Sequence, residues 1–94
     1  MRRKAKIDGN HGQIVLALRR LGFSVLSLAA VGKGCPDLVV GKHSKNYLLE
    51  VKDGTKPPSA RRLTDDQHKF YQSWLGQYQV IKSVEEVIEW ANGL

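Results

Sequence analysis

The stretch GCPDLVVGKHSKNYLLEVKDG, residues 34 to 54, decides how the chain reads. Two apolar runs, LVV and YLL, have the form of paired strands, yet Asp37 opens the first and Glu50 and Lys52 close the second. With the KHSK segment closing a hairpin so that Gly41 faces Asn46, Val39 falls opposite Leu48 and Asp37 opposite Glu50. Directly opposed residues of an antiparallel pair hold their Cβ atoms about 4.5–5.5 Å apart, so the two carboxylates share one pocket, and Lys52 lies on the same face. Two like charges so placed repel, and the pair persists when one is protonated or a cation sits between them. A divalent cation is the economical answer. Mg²⁺ is held by one or two carboxylates together with waters and substrate phosphate. Lys52 is then placed to orient the attacking water or to offset charge on a transferring phosphate, which is the chemistry of phosphodiester hydrolysis. Taken singly, the plainer readings are a turn-capping Asp37 and a solvent-facing Glu50/Lys52 alternation; the register is what brings the three together.

The flanking sequence supplies the rest of an α/β domain. Asn10 opens a helix over about 10 to 21, with Gln13 at capping-box spacing, an apolar series Ile14, Val15, Leu18 and Leu21, and Gly22 as the stop. FSVLSL at 23 to 28 alternates with period two and reads as a first strand. The loop AAVGKGC has two glycines that let backbone approach a ligand. After the hairpin, DGTKPPSARR reads as a turn and a loop that its prolines keep out of helix. Thr64 and Gln67 form a capping box for a second helix, in which Phe70, Tyr71 and Trp74 make the inner stripe until Gly76. QYQVIK is a fourth strand. Ser83 and Glu86 cap a last helix whose apolar face is Val84, Val87, Ile88 and Ala91. The expected order is αβββαβα, a mixed sheet flanked by helices in a single domain over 1–94.

Charge adds a partner. The 94 residues carry 15 Lys and Arg against 9 Asp and Glu, a net charge of +6, and a pI near 9.7, which point to a polyanion. Basic residues cluster in an amino-terminal arm over 1–7 (Arg2, Arg3, Lys4, Lys6), at Arg19 and Arg20, and at Lys56, Arg61 and Arg62; with Lys33 in the glycine loop, the expected phosphate contacts are Arg19, Lys33, Lys56, Arg61 and Arg62. No apolar run approaches the roughly 20 residues of a membrane span. MRRKAK is followed by polar IDGNHG and does not read as a secretory signal. One cysteine, Cys35, excludes an internal disulfide, and His11, His43 and His68 do not form a zinc spacing with it. The expectation is a cytoplasmic protein of a bacterial or phage-infected cell.

PD at 36–37 and EVK at 50–52 resemble the core motif of the PD-(D/E)XK nuclease superfamily. The preceding GC at 34–35, the KDGTKPPSA stretch and LTDDQ at 63–67 are similar to its small stand-alone phage and bacterial VRR-Nuc domains. The motif pair is short; the element order and flanking segments give it specificity, and the likeness spans essentially the whole chain. The resemblance implies a restriction-endonuclease-like αβββαβα core and structure-specific DNA cleavage with Mg²⁺ or Mn²⁺. It extends to resolution of four-way junctions by a homodimer. By position, Asp37, Glu50 and the Val51 carbonyl are metal ligands and Lys52 the catalytic lysine. Gln67 corresponds to a family glutamine near the site, and it is equally the third position of the Thr64 capping box. The family usually carries a glutamate on its first helix where this chain has Gln13, whose amide brings no negative charge; Gln13 is thus either an attenuated site residue or merely a helix cap. His11 is a lesser candidate on the same turn. The expected partners are branched or structured DNA and a second copy of the chain, with no membrane and no small-molecule cofactor. The rival expectations are a non-catalytic nucleic-acid-binding module on the same fold, and a phage structural protein that uses the basic face alone.

Overall fold

The computed structural model describes residues 9–94; the basic arm over 1–7 lies outside them. Four helices and four strands follow in the order α1 (His11–Arg20), β1 (Ser24–Ser27), β2 (Leu38–Lys42), β3 (Lys45–Val51), α2 (Pro58–Arg61), α3 (Asp65–Ser73), β4 (Tyr78–Ile81) and α4 (Val84–Asn92). The strands form one mixed sheet in the order β1-β2-β3-β4. β1 and β2 run antiparallel, as do β2 and β3, and β4 joins β3 in parallel. This is the expected αβββαβα order with one short helix added. Among the described residues no helix is long and apolar enough to cross a membrane.

The hairpin register is the one the sequence dictates. Val39 pairs with Leu48, Gly41 with Asn46 and Leu38 with Leu49, which sets Asp37 against Glu50 one step further on. The strands run closer to the turn than KHSK implies: Lys42 pairs with Lys45, leaving a loop of only His43 and Ser44. Both loop residues have positive φ, 53° and 62°, the twist-matched geometry of a two-residue hairpin loop that Asn-Gly normally fills.

Period-two alternation then sorts the strands into two faces. Leu38, Val40, Tyr47, Leu49, Val51 and Ile81 point to one side and are buried there with Ile14 and Leu18 of α1, Phe23, and Val87 of α4. The other side carries Asp37, Val39, Leu48, Glu50, Tyr78 and Val80. The core and the charged residues are therefore on opposite faces of one sheet.

Several local expectations are corrected. Pro57 and Pro58 do not keep their segment out of helix: Pro57 is the N-cap and Pro58 the first residue of α2, where a missing N–H and a fixed φ suit a helix start. Asn10 caps α1 by position only. Its side chain makes no cap bond; the Nδ2 group donates instead to the carbonyls of Lys52 (3.1 Å) and Lys82 (2.9 Å), tying the start of α1 to the ends of β3 and β4. Ile88 faces outward, and the inner face of α4 is completed by Trp90, stacked on Phe23 at 5.5 Å and edge-on to Tyr47 at 5.3 Å. Glu86 also departs from a capping box, accepting from the Lys82 N–H at 2.8 Å while Ser83 accepts from the Glu86 N–H.

The largest correction concerns α3. None of its residues is buried. Tyr71 is 50% and Trp74 45% exposed, and Leu75 beyond them is 99% exposed. The aromatic stripe thus lies outside the core, with Phe70 stacked on Trp74 at 5.4 Å and both Phe70 and Tyr71 against Tyr78 of β4. Helical periodicity reports a shared face and is silent on whether anything covers it.

Leu49→Ala, at a fully buried central-strand position, is expected to cost about 2–5 kcal/mol. Trp74→Ala is expected to cost about 1 kcal/mol, the worth of a surface ring pair. Urea denaturation midpoints check both, and equal losses would place the stripe in the core. Replacing His43-Ser44 with Asn-Gly removes two strained positive-φ residues and is expected to raise the unfolding temperature.

Candidate active site

The site forms where β2 begins and β3 ends. Asp37 is half-buried, and its Oδ2 accepts the Val51 N–H at 2.7 Å, so its carboxylate extends the hairpin ladder by one rung. The N–H and C=O of an extended residue leave the strand on the same edge; the Val51 carbonyl therefore faces Asp37 too. Glu50 is 2% exposed and Lys52 9%. Their charged groups are 3.9 Å apart.

Gln67 joins these two. Its Oε1 accepts from Lys52 Nζ at 2.7 Å and its Nε2 donates to Glu50 Oε2 at 3.3 Å. The same Oε1 accepts the Thr64 N–H at 2.9 Å, while Thr64 Oγ1 accepts the Gln67 N–H at 3.2 Å. The two roles read for Gln67 are not alternatives: one side chain closes the capping box and seats the start of α3 on the buried carboxylate. Part of the compensation assigned to a metal thus comes from the chain itself.

A cleft of about 280 Å³ opens beside this network, lined by Lys33, Cys35, Asp37, Thr64, Asp66 and Gln67 among others. Gly34 explains how the glycine loop and α3 come together. It has φ +80°, and a Cβ there would collide with the backbone carbonyl of Asp66 and stand 2.8 Å from the Gln67 nitrogen. The glycine lets the loop meet protein backbone, where the sequence reading had it meet a ligand. Burial, then the charges of Glu50 and Asp37, push the Cys35 thiol up from its ordinary value. Burial and the same two carboxylates, with Tyr71 after them, push the Tyr78 phenol well above its own. Cys35 lines the cleft and Tyr78 stands on the Glu50 face of the sheet, and neither was singled out by the sequence. The parallel pairing of Tyr78 with Leu48, which puts it on the Glu50 face, was the missing signal.

Other expected site residues lie elsewhere. Gln13 is exposed on α1 and lines a separate hollow with Asn10, Asp53, Arg61 and Glu85. It bonds to neither Glu50 nor Lys52 among the described hydrogen bonds, nor does it fulfil the cap role, since Asn10 has turned to the sheet. His11, next along, is half-buried, with a buried Nδ1 that lacks a hydrogen-bond partner among the described residues. Lys33 stands on the rim of the cleft, held at φ 55° between two glycines. Arg61 donates to the Gly54 carbonyl at 3.0 Å, and Arg62 is exposed just beyond it. Lys56 belongs to the same turn, its N–H on the Asp53 carbonyl. Arg19 is exposed on α1, which packs against the opposite face of the sheet, and Arg61 lines the hollow of Gln13 rather than the cleft beside Asp37.

No group of three or more His, Cys, Asp or Glu side chains is gathered in metal-binding fashion among the described residues. Asp37, Glu50 and the Val51 carbonyl make an all-oxygen set of two carboxylates and a backbone group, which fits a hard cation that keeps several waters and excludes a structural zinc site. Comparison with protein-family models, curated proteins and solved structures finds no match. The VRR-Nuc likeness therefore rests on the motif residues, the flanking segments and the element order.

Cys35 reports on this pocket. A raised thiol pKa means less thiolate, so iodoacetamide alkylation at pH 8 is expected to be slower than for a free thiol. Glu50→Gln removes one of the charges that raise the pKa, which shifts the pH–rate profile to lower pH. An unchanged profile would separate Cys35 from the carboxylates.

Proposed function

We propose that the chain is a divalent-cation-dependent nuclease that hydrolyses phosphodiester bonds in branched or structured DNA. The observation that carries this reading is the juxtaposition of Asp37 and a nearly inaccessible Glu50 across the end of the hairpin, with Lys52 on the same face. A sheet gains nothing in stability from two acidic groups so placed. In this reading Asp37, Glu50 and the Val51 carbonyl hold Mg²⁺ or Mn²⁺, which when bound polarises the phosphate and eases ionisation of water. Lys52 donates to Gln67 at 2.7 Å, which orients its ammonium to stabilise charge growing on phosphate oxygens or to position the attacking water. Lys33 on the cleft rim and the Lys56, Arg61 and Arg62 turn supply phosphate contacts, which give affinity and position without reading sequence.

Symmetric cutting of a four-way junction needs two sites related by a two-fold axis, so junction resolution requires a homodimer. The uncovered apolar side chains of Tyr71, Trp74 and Leu75 offer the kind of surface self-association uses.

A second reading, a nucleic-acid-binding module without turnover, is favoured by one observation: Gln13 neither carries a charge nor lies with Glu50. It leaves the pairing of half-buried Asp37 with buried Glu50 unexplained.

A panel of junction, flap, nicked and linear DNA incubated with Mg²⁺ or Mn²⁺ separates the two readings. Cleavage is expected in the native chain and a loss of at least about 100-fold in Asp37→Asn and in Glu50→Gln, corresponding to several kcal/mol of transition-state stabilisation. These isosteric changes are preferred to alanine, because emptying position 50 strands Lys52 in a buried site. Lys52→Met is expected to lose turnover while calorimetry still records Mn²⁺ binding. Undiminished cleavage by Glu50→Gln would remove the site assignment, and light scattering that finds only monomer would remove the paired junction resolvase.

A further inference from the structure

Tyr78 opens β4 and pairs with Leu48, while Val80 pairs with Glu50. Tyr78 is therefore two residues along from the row of Glu50 and on the same face of the sheet. Its ring lies under α3, 5.1 Å from the Tyr71 ring and 6.3 Å from that of Phe70. The hydroxyl is buried and has no hydrogen-bond partner among the described residues. Tyrosine normally satisfies a buried hydroxyl, and a hydrophobic filler in this position would be served as well by phenylalanine. Burial first, and then the charges of Glu50 and Asp37, push its phenol up from the ordinary value. It is thus a donor on the face of the sheet that carries Asp37 and Glu50, hydrogen-bonded to neither.

We propose that the Tyr78 hydroxyl donates a hydrogen bond to a non-bridging oxygen of the phosphate bound at Asp37 and Glu50, an assignment that rests on the nuclease reading of that site. A phosphate is the ligand whose chemistry the position suits. It brings acceptor oxygens into a pocket where the chain's own acceptors are carboxylates, and a neutral donor can meet it without competing for the cation. Lys52 and Tyr78 would then address the phosphate from two strands, one as a charge and the other as a fixed dipole.

Tyr78→Phe in the full chain isolates the hydroxyl, because it keeps the ring against Phe70 and Tyr71. Thermal unfolding is expected to be unchanged or slightly raised, since an unpaired buried group is removed. Calorimetry should give the same Mn²⁺ affinity as the native chain and, with Mn²⁺ present, about 10- to 100-fold weaker binding of thymidine 5′-monophosphate, the range for a hydrogen bond to a charged group. Cleavage should fall by a similar factor in kcat/KM. Nucleotide affinity within two-fold of the native value would overturn the proposal, as would a native chain that binds no thymidine 5′-monophosphate alongside Mn²⁺. Loss of Mn²⁺ binding in Tyr78→Phe would also overturn it, placing the hydroxyl on the cation instead. If the native chain cleaves no member of the DNA panel but Tyr78→Phe still weakens nucleotide binding, the nuclease reading fails and the phosphate contact stands.

Discussion

A carboxyl group as inaccessible as that of Glu50, 2% exposed, is costly to bury without charge or hydrogen-bond partners. The chain meets this with Lys52, two residues on along the same strand, and with Gln67 from α3, which contacts both. Much of the local architecture serves that arrangement. α3 begins where it does because Gln67 must reach the sheet and the Thr64 backbone at once. The glycine loop passes against α3 because residue 34 has no side chain to keep it away. The start of α1 is tied to the Lys52 carbonyl, which fixes the end of β3 from the other side.

The division of labour between the faces of the sheet follows from the pleat. One set of alternate residues is apolar and buried under α1 and α4, and it supplies the hydrophobic stabilisation of the described fold. The other set is free of that duty and carries the acidic pair, the lysine and Tyr78. On this side α3 is held by polar contacts at its first turn and by aromatic contacts to Tyr78, with no buried residue of its own. A helix seated in this way can move at modest cost.

Much of the site was legible because it is written in short-range rules. The register of β2 on β3 follows from the apolar alternation and the length of the turn, and it brings Asp37, Glu50 and Lys52 together without any tertiary information. The Thr64 capping box is a local device and formed as read. The failures were at positions whose partners are distant in sequence. Asn10 has the right residue type for a cap, but two carbonyls at the ends of strands compete for its amide. Phe70, Tyr71 and Trp74 share a helical face, and nothing local tells whether the sheet reaches far enough to cover it. Trp90 was passed over in favour of Ile88 because the aromatic shelf formed by Phe23 and Tyr47 exists only once α4 is docked.

The sequence by itself determined the element order, the hairpin register and the identity of the acidic pair, since each depends on spacing along a strand or a helix turn. Only the tertiary structure decided that Gln67 spans Glu50, Lys52 and its own helix cap, that Gln13 and Arg19 do not line the cleft, and that Tyr78 shares the Glu50 face. The physical reason is the parallel crossover from β3 to β4. Its register is set by the packing of α3 and α4 on the two faces of the sheet and by no turn, so no local pattern in the chain encodes which side of β4 meets Glu50.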